Sequence, residues 1–248
     1  MRTDQGGRPD GARPAGRQAA PCGAGLLRAA GTASIAYAVA SLVAATLEAI
    51  VLDFSIVSPA DLVADVTTMQ VPWVVAQVIF IVQQPLLTLI VLGFWAVAAA
   101  GPRVWLIIGT VQLAFSGLLF VFSGIFHGVF GWHVSALQQL AGEDRADAER
   151  LAEIVHALGD TTFYIAIAAT ATAMIAWLPV IRRSAALPAG LARLAIVAVV
   201  FQLVEFGYFL LPGLALTAPI GIACQTAWYI WFGRTLRRFA PRGTVRPS

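Results

Sequence analysis

Apolar and polar positions fall in long alternating blocks along this chain. Six apolar stretches, at about 26–52, 72–99, 104–130, 155–181, 191–211 and 219–239, are separated by shorter polar connectors. Each reaches the roughly 20 residues with which a helix, rising about 1.5 Å per residue, crosses ~30 Å of hydrocarbon. Within the stretches the apolar side chains run all round the helical wheel, which leaves no polar face for water. A membrane barrel would need short segments of alternating polarity, and there are none. The first stretch is too long for a signal-peptide core and has no small-residue cleavage site behind it, so it reads as a retained span. The expected fold class is therefore all-α, a polytopic transmembrane helix bundle of six spans.

The connectors orient that bundle. Arg2, Arg8, Arg13, Arg17, Arg28, Arg103, Arg182, Arg183, Arg193, Arg234, Arg237, Arg238, Arg242 and Arg246 fall on one side of the six-span threading, and Arg145 and Arg150 on the other. Positively charged loops stay in the cytoplasm, so both termini are expected there, in the cytoplasmic (inner) membrane. Residues 1–24 are rich in Gly, Pro, Arg and Ala and carry too little large apolar surface to offset the entropy of ordering, so a disordered cytoplasmic tail is expected. The six-helix domain then covers 25–239, and 240–248 forms a second cytoplasmic tail. In the first outer loop Ser58 and Pro59 resemble an N-cap and first helical residue, predicting a short interfacial helix from Pro59 to about Met69. In the second, Trp132 to Leu140 is amphipathic, Gly142 interrupts it, and the helix from Asp144 runs into the fourth span.

Composition sharpens this picture at three points. The chain is 59% apolar and only 12% charged, against roughly 25% charged for a soluble domain. Its net charge of +3 is no nucleic-acid footprint, because the arginines sit at the ends of apolar stretches and not on one polar face. All sixteen basic residues are Arg, with Ala, Gly and Val abundant, the mark of a GC-rich bacterial genome. Cys22 and Cys224 lack both a disulfide framework and metal-ligand spacing.

Polar and ionisable groups inside spans are costly and require a partner or a purpose. On the six-span topology they gather in the outer half: Glu48 in span one, Gln77, Gln83 and Gln84 in span two, His127 in span three, His156 and Asp160 in span four, Glu205 in span five. In span three Gln112, Ser116, Ser123 and His127 share one face. Gly117, Gly124 and Gly128 run beside them and invite close helix approach, which predicts a central place for this span. His156 and Asp160, at i and i+4, share a face of span four, as Gln202 and Glu205, at i and i+3, do in span five. These spacings predict an outward-opening binding pocket walled by Glu48, Gln84, His127, Asp160 and Glu205, with Glu205 hydrogen-bonded to His127 or a nearby amide. The alternative is a set of purely structural interhelical hydrogen bonds.

His127, His156 and Asp160 are also the residues from which a metal site would be built, since imidazole and carboxylate are zinc or iron ligands. No pair of histidines stands at i, i+4, however, so no metal is firmly assigned and no cofactor is expected. Haem would require two deeply buried histidines, and only these two are available. The seven tryptophans, Trp73, Trp95, Trp105, Trp132, Trp177, Trp228 and Trp231, are expected to be interfacial anchors. Pro85 and Pro212 are not at equivalent positions, so no inverted repeat favours a transporter.

Two resemblances follow from these residues. Ser123 and His127 resemble one element of intramembrane metal-dependent hydrolases such as the alkaline ceramidases and progestin receptors, whose C-terminal paired-histidine span has no counterpart here. The hairpin Arg182-Arg183-Ser184-Ala185-Ala186-Leu187-Pro188 resembles the R-S-x-x-L-P cytoplasmic turn of a group of uncharacterised six-helix actinobacterial membrane proteins. The second likeness covers spans four to six and implies a fold without implying an activity. The expected function is that of a multi-pass membrane protein binding a small ligand, ion or lipid from the outer face. Two alternatives are a membrane-embedded enzyme using His127, His156, Asp160 and Glu205, and a secondary transporter. Besides the bilayer, protein partners or a second copy of the chain stay open, and nucleic acid is not expected.

Overall fold

A computed structural model of the chain describes residues 21–51, 59–98, 102–137, 140, 142–207 and 218–240. All described secondary structure is helical: α1 (Pro21–Val51), α2 (Pro59–Thr68), α3 (Gln70–Val82), α4 (Pro85–Ala98), α5 (Arg103–Leu137), α6 (Gly142–Arg183), α7 (Ala189–Phe206) and α8 (Ala218–Phe239). Five segments are long and apolar enough to cross a membrane: Gly23–Val51, Gln70–Ala98, Arg103–Val134, Asp144–Arg183 and Ala189–Phe206. Their outward faces carry large exposed hydrophobic side chains, among them Leu42, Val78, Ile107, Val111, Leu118 and Val200. Lipid is the solvent that such a surface fits.

The helices pack side by side in chain order and close on themselves. α1 lies against α3 and α4, α3 and α4 against α5, α5 against α6, α6 against α7, α7 against α8, and α8 against α1. Neighbours are antiparallel: Ser34 Oγ on α1 donates to the Tyr229 carbonyl on α8 at 2.7 Å, and Ser116 Oγ on α5 donates to the Ala166 carbonyl on α6 at 2.8 Å. Gly31 and Gly233 set the α1–α8 crossing, since a Cβ on Gly31 would lie 2.6 Å from the Gly233 carbonyl oxygen. Backbone cannot yield there as a flexible side chain can.

Several expectations change at this point. The second apolar stretch is two helices: the turn at Gln83–Gln84 interrupts it just before Pro85, whose ring and missing N–H remove a helical hydrogen bond and favour a break there. The sixth expected span is present as the helix Ala218–Phe239 but is not among the five most apolar segments. Gln225, Trp228, Tyr229, Trp231 and Arg234 dilute its hydropathy. α1 starts at Pro21, inside the stretch expected to be a tail. Residues 1–20 and 241–248, Ser58 and the end of the expected fifth span, 208–211, lie outside the described residues.

Span three is not the most enclosed helix; α6 is. Helix α5 is a wall with two working edges. Gly117 and Gly124 meet Leu87, Gln84, Ile81 and Gln77 of the second apolar stretch, and Ser116, Ser123 and His127 meet α6. The tryptophans divide as well. Trp95, Trp105, Trp132 and Trp231 are at the exposed surface, but Trp73, Trp177 and Trp228 are only 1% exposed and belong to the core, not to an interfacial belt.

One end of the bundle is closed by aromatic rings. Phe94 of α4 stacks on Trp177 of α6 at 4.3 Å, and both Phe94 and Trp228 pack on Phe232 of α8, at 5.6 and 5.2 Å. Arg28, Arg103, Arg182, Arg183, Arg193, Arg234, Arg237 and Arg238 cluster around this end by their position on the helices. The α6–α7 turn is tied to it, because Ser184 Oγ donates to the Val97 carbonyl at 3.2 Å and Leu187 is buried. The polar residues of interest lie at the opposite end.

Candidate functional site

Helices α5 and α6 run antiparallel, so the C-terminal third of α5 and the middle of α6 meet at one level. His127 Nε2 lies 3.2 Å from Asp160 Oδ1, and His156 Nε2 lies 3.4 Å from Asp160 Oδ2. One carboxylate thus faces two imidazoles, one from each helix. The i, i+4 spacing of His156 and Asp160 aligns them on α6. The approach of His127 depends on Gly159, where any Cβ would collide with its ring, 2.5 Å from Nε2. The two rings lie 5.1 Å apart between centroids, and Phe130 flanks His156 on its other side at 5.5 Å.

Supporting contacts hold His127 in place. Ser123 Oγ is 3.3 Å from its Nδ1 and donates to the Gly159 carbonyl at 2.9 Å. Trp73 Nε1 donates to the His127 carbonyl at 2.9 Å while its indole edge packs on the imidazole. The His127 side chain is only 7% exposed, whereas that of Asp160 is 41% exposed and that of His156 22%. The cluster is therefore anchored on its α5 side and reachable from outside the protein on its α6 side. Phe80, Phe120 and Phe163, with centroids 5.6 to 6.5 Å apart, close it one to two turns further into the bundle.

The expected wall residues are brought together unequally. Glu48, near the end of α1, accepts a hydrogen bond from Gln77 Nε2 at 2.7 Å and lies within electrostatic reach of both His127 and Asp160. Glu205 is buried on α7 and lies within electrostatic reach of Glu48. Its expected hydrogen bond to His127 or an amide is not formed among the described residues. Its carboxylate instead approaches Gly221 of α8, at 3.5 Å from where a Cβ would stand. Gln84 is not part of the cluster. Its Nε2 donates to the Phe80 carbonyl at 2.8 Å and its Oε1 faces Gly117, two turns away from Gln77.

Gln77, Ser123 and Gly159 were not among the expected wall residues. Gln77 and Ser123 carried a signal, one as an amide in the right half of span two and the other as the i−4 neighbour of His127. Gly159 carried none, because only the packed structure shows that its missing side chain makes room for a ring.

The arrangement is rich in carboxyl groups. Three carboxylates and two imidazoles from α1, α5, α6 and α7 gather at one level, and no described arginine stands among them. Comparison with known proteins adds no precedent, since no family model, curated protein or solved structure matches the chain.

Proposed function

We propose that this chain is a six-span protein of the cytoplasmic membrane, with both termini in the cytoplasm, that binds a small cation from the outer face at the cluster of Glu48, His127, His156, Asp160 and Glu205. The observation that carries the reading is the gathering of three carboxylates at one level of the bundle without a guanidinium to neutralise them. Uncompensated carboxylates in a low-dielectric setting are strongly penalised, so an arrangement of this kind favours a cationic occupant over an anionic one. The sixth span in this reading is α8, a reading supported by its antiparallel packing against α1 and its contact with α7. Orientation follows from the arginines, which cluster at the end opposite the site.

The test is thermal unfolding of purified protein in detergent with inorganic cations, small organic amines and anions. A cation should raise the melting temperature of the parent, and the Glu48→Gln/Glu205→Gln double variant should lose most of that rise. Stabilisation by anions alone, or by nothing, overturns the reading. Orientation is checked separately by a reporter active only outside the cytoplasm, which should work when fused after Gly142 and be silent after Arg246.

A second reading, a membrane-embedded enzyme, draws on the line Ser123–His127–Asp160. The hydroxyl proton of Ser123 is directed to the Gly159 carbonyl and not to His127, so the serine is not arranged as an activated nucleophile. Any catalysis at this site would then have to start from a bound ion or water.

A further inference from the structure

The spacing within the cluster identifies the cation more narrowly, an inference that rests on the cation-binding reading above. Charge-assisted N–H···O bonds between imidazolium and carboxylate typically span about 2.7–2.9 Å. The two imidazole–carboxylate separations here are 3.2 and 3.4 Å, both longer. Each imidazole stands off a different oxygen of Asp160 by a distance comparable to the edge of a coordination tetrahedron, in which ligands about 2.0–2.1 Å from a zinc ion lie roughly 3.3–3.4 Å from one another. The ligating atoms of His127, His156 and Asp160 all lie within 4.8 Å of one another, close enough for small side-chain rotations to bring all three onto a single ion. We infer that His127, His156 and Asp160 form a three-ligand site for a divalent transition-metal cation, with zinc the preferred occupant.

On the His127 side the surroundings fit the demands of such a site. A metal-ligating imidazole normally has its other nitrogen engaged, which fixes tautomer and ring orientation. In His127 that partner is Ser123: with Nε2 on the metal, Nδ1–H points at Ser123 Oγ, and the Ser123 hydroxyl passes its own proton to the Gly159 carbonyl. Nδ1–H donates, the Ser123 hydroxyl accepts once and donates once, and the Gly159 carbonyl accepts. Trp73 holds the His127 backbone from the opposite side. Two imidazoles and a carboxylate suit zinc and its first-row neighbours better than calcium or magnesium, which prefer all-oxygen shells. Three protein ligands leave a fourth position for water or a ligand, on the α6 side where Asp160 and His156 are accessible. Glu48, within electrostatic reach of His127 and Asp160, supplies a further carboxyl group beside the site.

The experiment is metal analysis and equilibrium dialysis of the full chain in detergent after chelator treatment, using Zn2+ alone, with Co2+ as a spectroscopic probe. One zinc per chain and a visible absorption band of tetrahedral cobalt are expected. His156→Ala and Asp160→Asn should abolish stoichiometric binding, and Ser123→Ala should weaken it by about 10- to 100-fold through the orientation of His127. His156→Cys should restore a ligand and add a thiolate-to-cobalt transition, which a merely structural imidazole would not do. The variants must melt like the metal-free parent, and His156, on the accessible side of the site, is the safest position for that control. Retention of zinc by a His127→Ala/His156→Ala variant overturns the metal site. Failure of the parent to bind zinc while another cation stabilises it overturns the metal site and leaves the broader reading standing. Failure of every cation overturns both.

Discussion

At the arginine-bearing end of the bundle, Phe94, Trp177, Trp228 and Phe232 are stacked ring on ring and α1 and α8 touch backbone to backbone at Gly31 and Gly233. At the other end, Glu48, His127, His156, Asp160 and Glu205 are gathered with long imidazole–carboxylate separations, and His156 Nδ1 is buried without a hydrogen-bond partner among the described residues. The difference has an energetic content. Lipid is as apolar as the helix surfaces, so helices in a membrane are held by close packing and buried hydrogen bonds and not by exclusion of water. The aromatic end makes full use of packing. The polar end keeps short hydrogen bonds at Gln77–Glu48, Trp73–His127 and Ser123–Gly159 but leaves the imidazole–carboxylate contacts long and His156 Nδ1 unpartnered among the described residues, a departure from local optimality of the kind found at sites kept for function.

The comparison breaks most visibly at Trp177. Its ring is almost fully buried, stacks on Phe94 and fills the notch left by Gly109. Trp177→Ala should cost about 3 kcal/mol, the lower end of the usual range for a buried aromatic, because the lost atoms would otherwise be in lipid and not water. Unfolding in mixed detergent measures this. A variant as stable as the parent would mean that the aromatic end is not what holds the helices together.

A smaller effect separates two glycines on one helix. A Cβ on Gly124 would meet Ile81 Cγ1 at 2.8 Å and the Gln77 carbonyl at 3.2 Å, whereas one on Gly128 would find only Gln77 Cβ at an ordinary 3.7 Å. Gly124→Leu should therefore destabilise by about 2 kcal/mol through overpacking, and Gly128→Ala by less than about 0.5 kcal/mol. Equal losses at the two positions would show that α5 meets α3 in a different register. Tolerance of a methyl group at Gly128, next to His127 on α5, would support a looser packing of the polar end.

The helical architecture was legible because the apolar stretches announce spans by length alone, and the short helix from Pro59 by its first-turn proline. The level at which the site residues meet was legible too, since antiparallel spans of known direction place Glu48, His127 and Asp160 at one depth. What the sequence could not give is which faces turn toward one another. Gln84 has the same residue type as Gln77 but stands two turns further along the span, beside Gly117 and away from Glu48. The tryptophans misled for a related reason. An indole near a span end fits the interface on composition grounds, but Trp73 and Trp177 each face a glycine on the neighbouring helix, Gly131 and Gly109, and sink into the core.

The finest distinction lies between the two acids within electrostatic reach of each other, Glu48 and Glu205. Glu48 is tied to Gln77 by a 2.7 Å hydrogen bond, so Glu48→Leu strands a buried amide and should cost about 1–2 kcal/mol. Glu205 has no hydrogen-bond partner among the described residues, and its removal strands nothing there. Replacing a buried, unpartnered carboxyl by an apolar side chain of similar size relieves a desolvation penalty. Glu205→Leu should therefore melt at or slightly above the parent, by no more than about 1 kcal/mol, in the absence of any cation. With the stabilising cation present the order should reverse, because the variant has lost one of the charges that favour the occupant. Gain of intrinsic stability with loss of ligand-induced stability is the signature of a group kept for binding. Lower stability of Glu205→Leu without any ligand would instead reveal a hydrogen-bonding partner beyond the described residues, and would return Glu205 to a structural role.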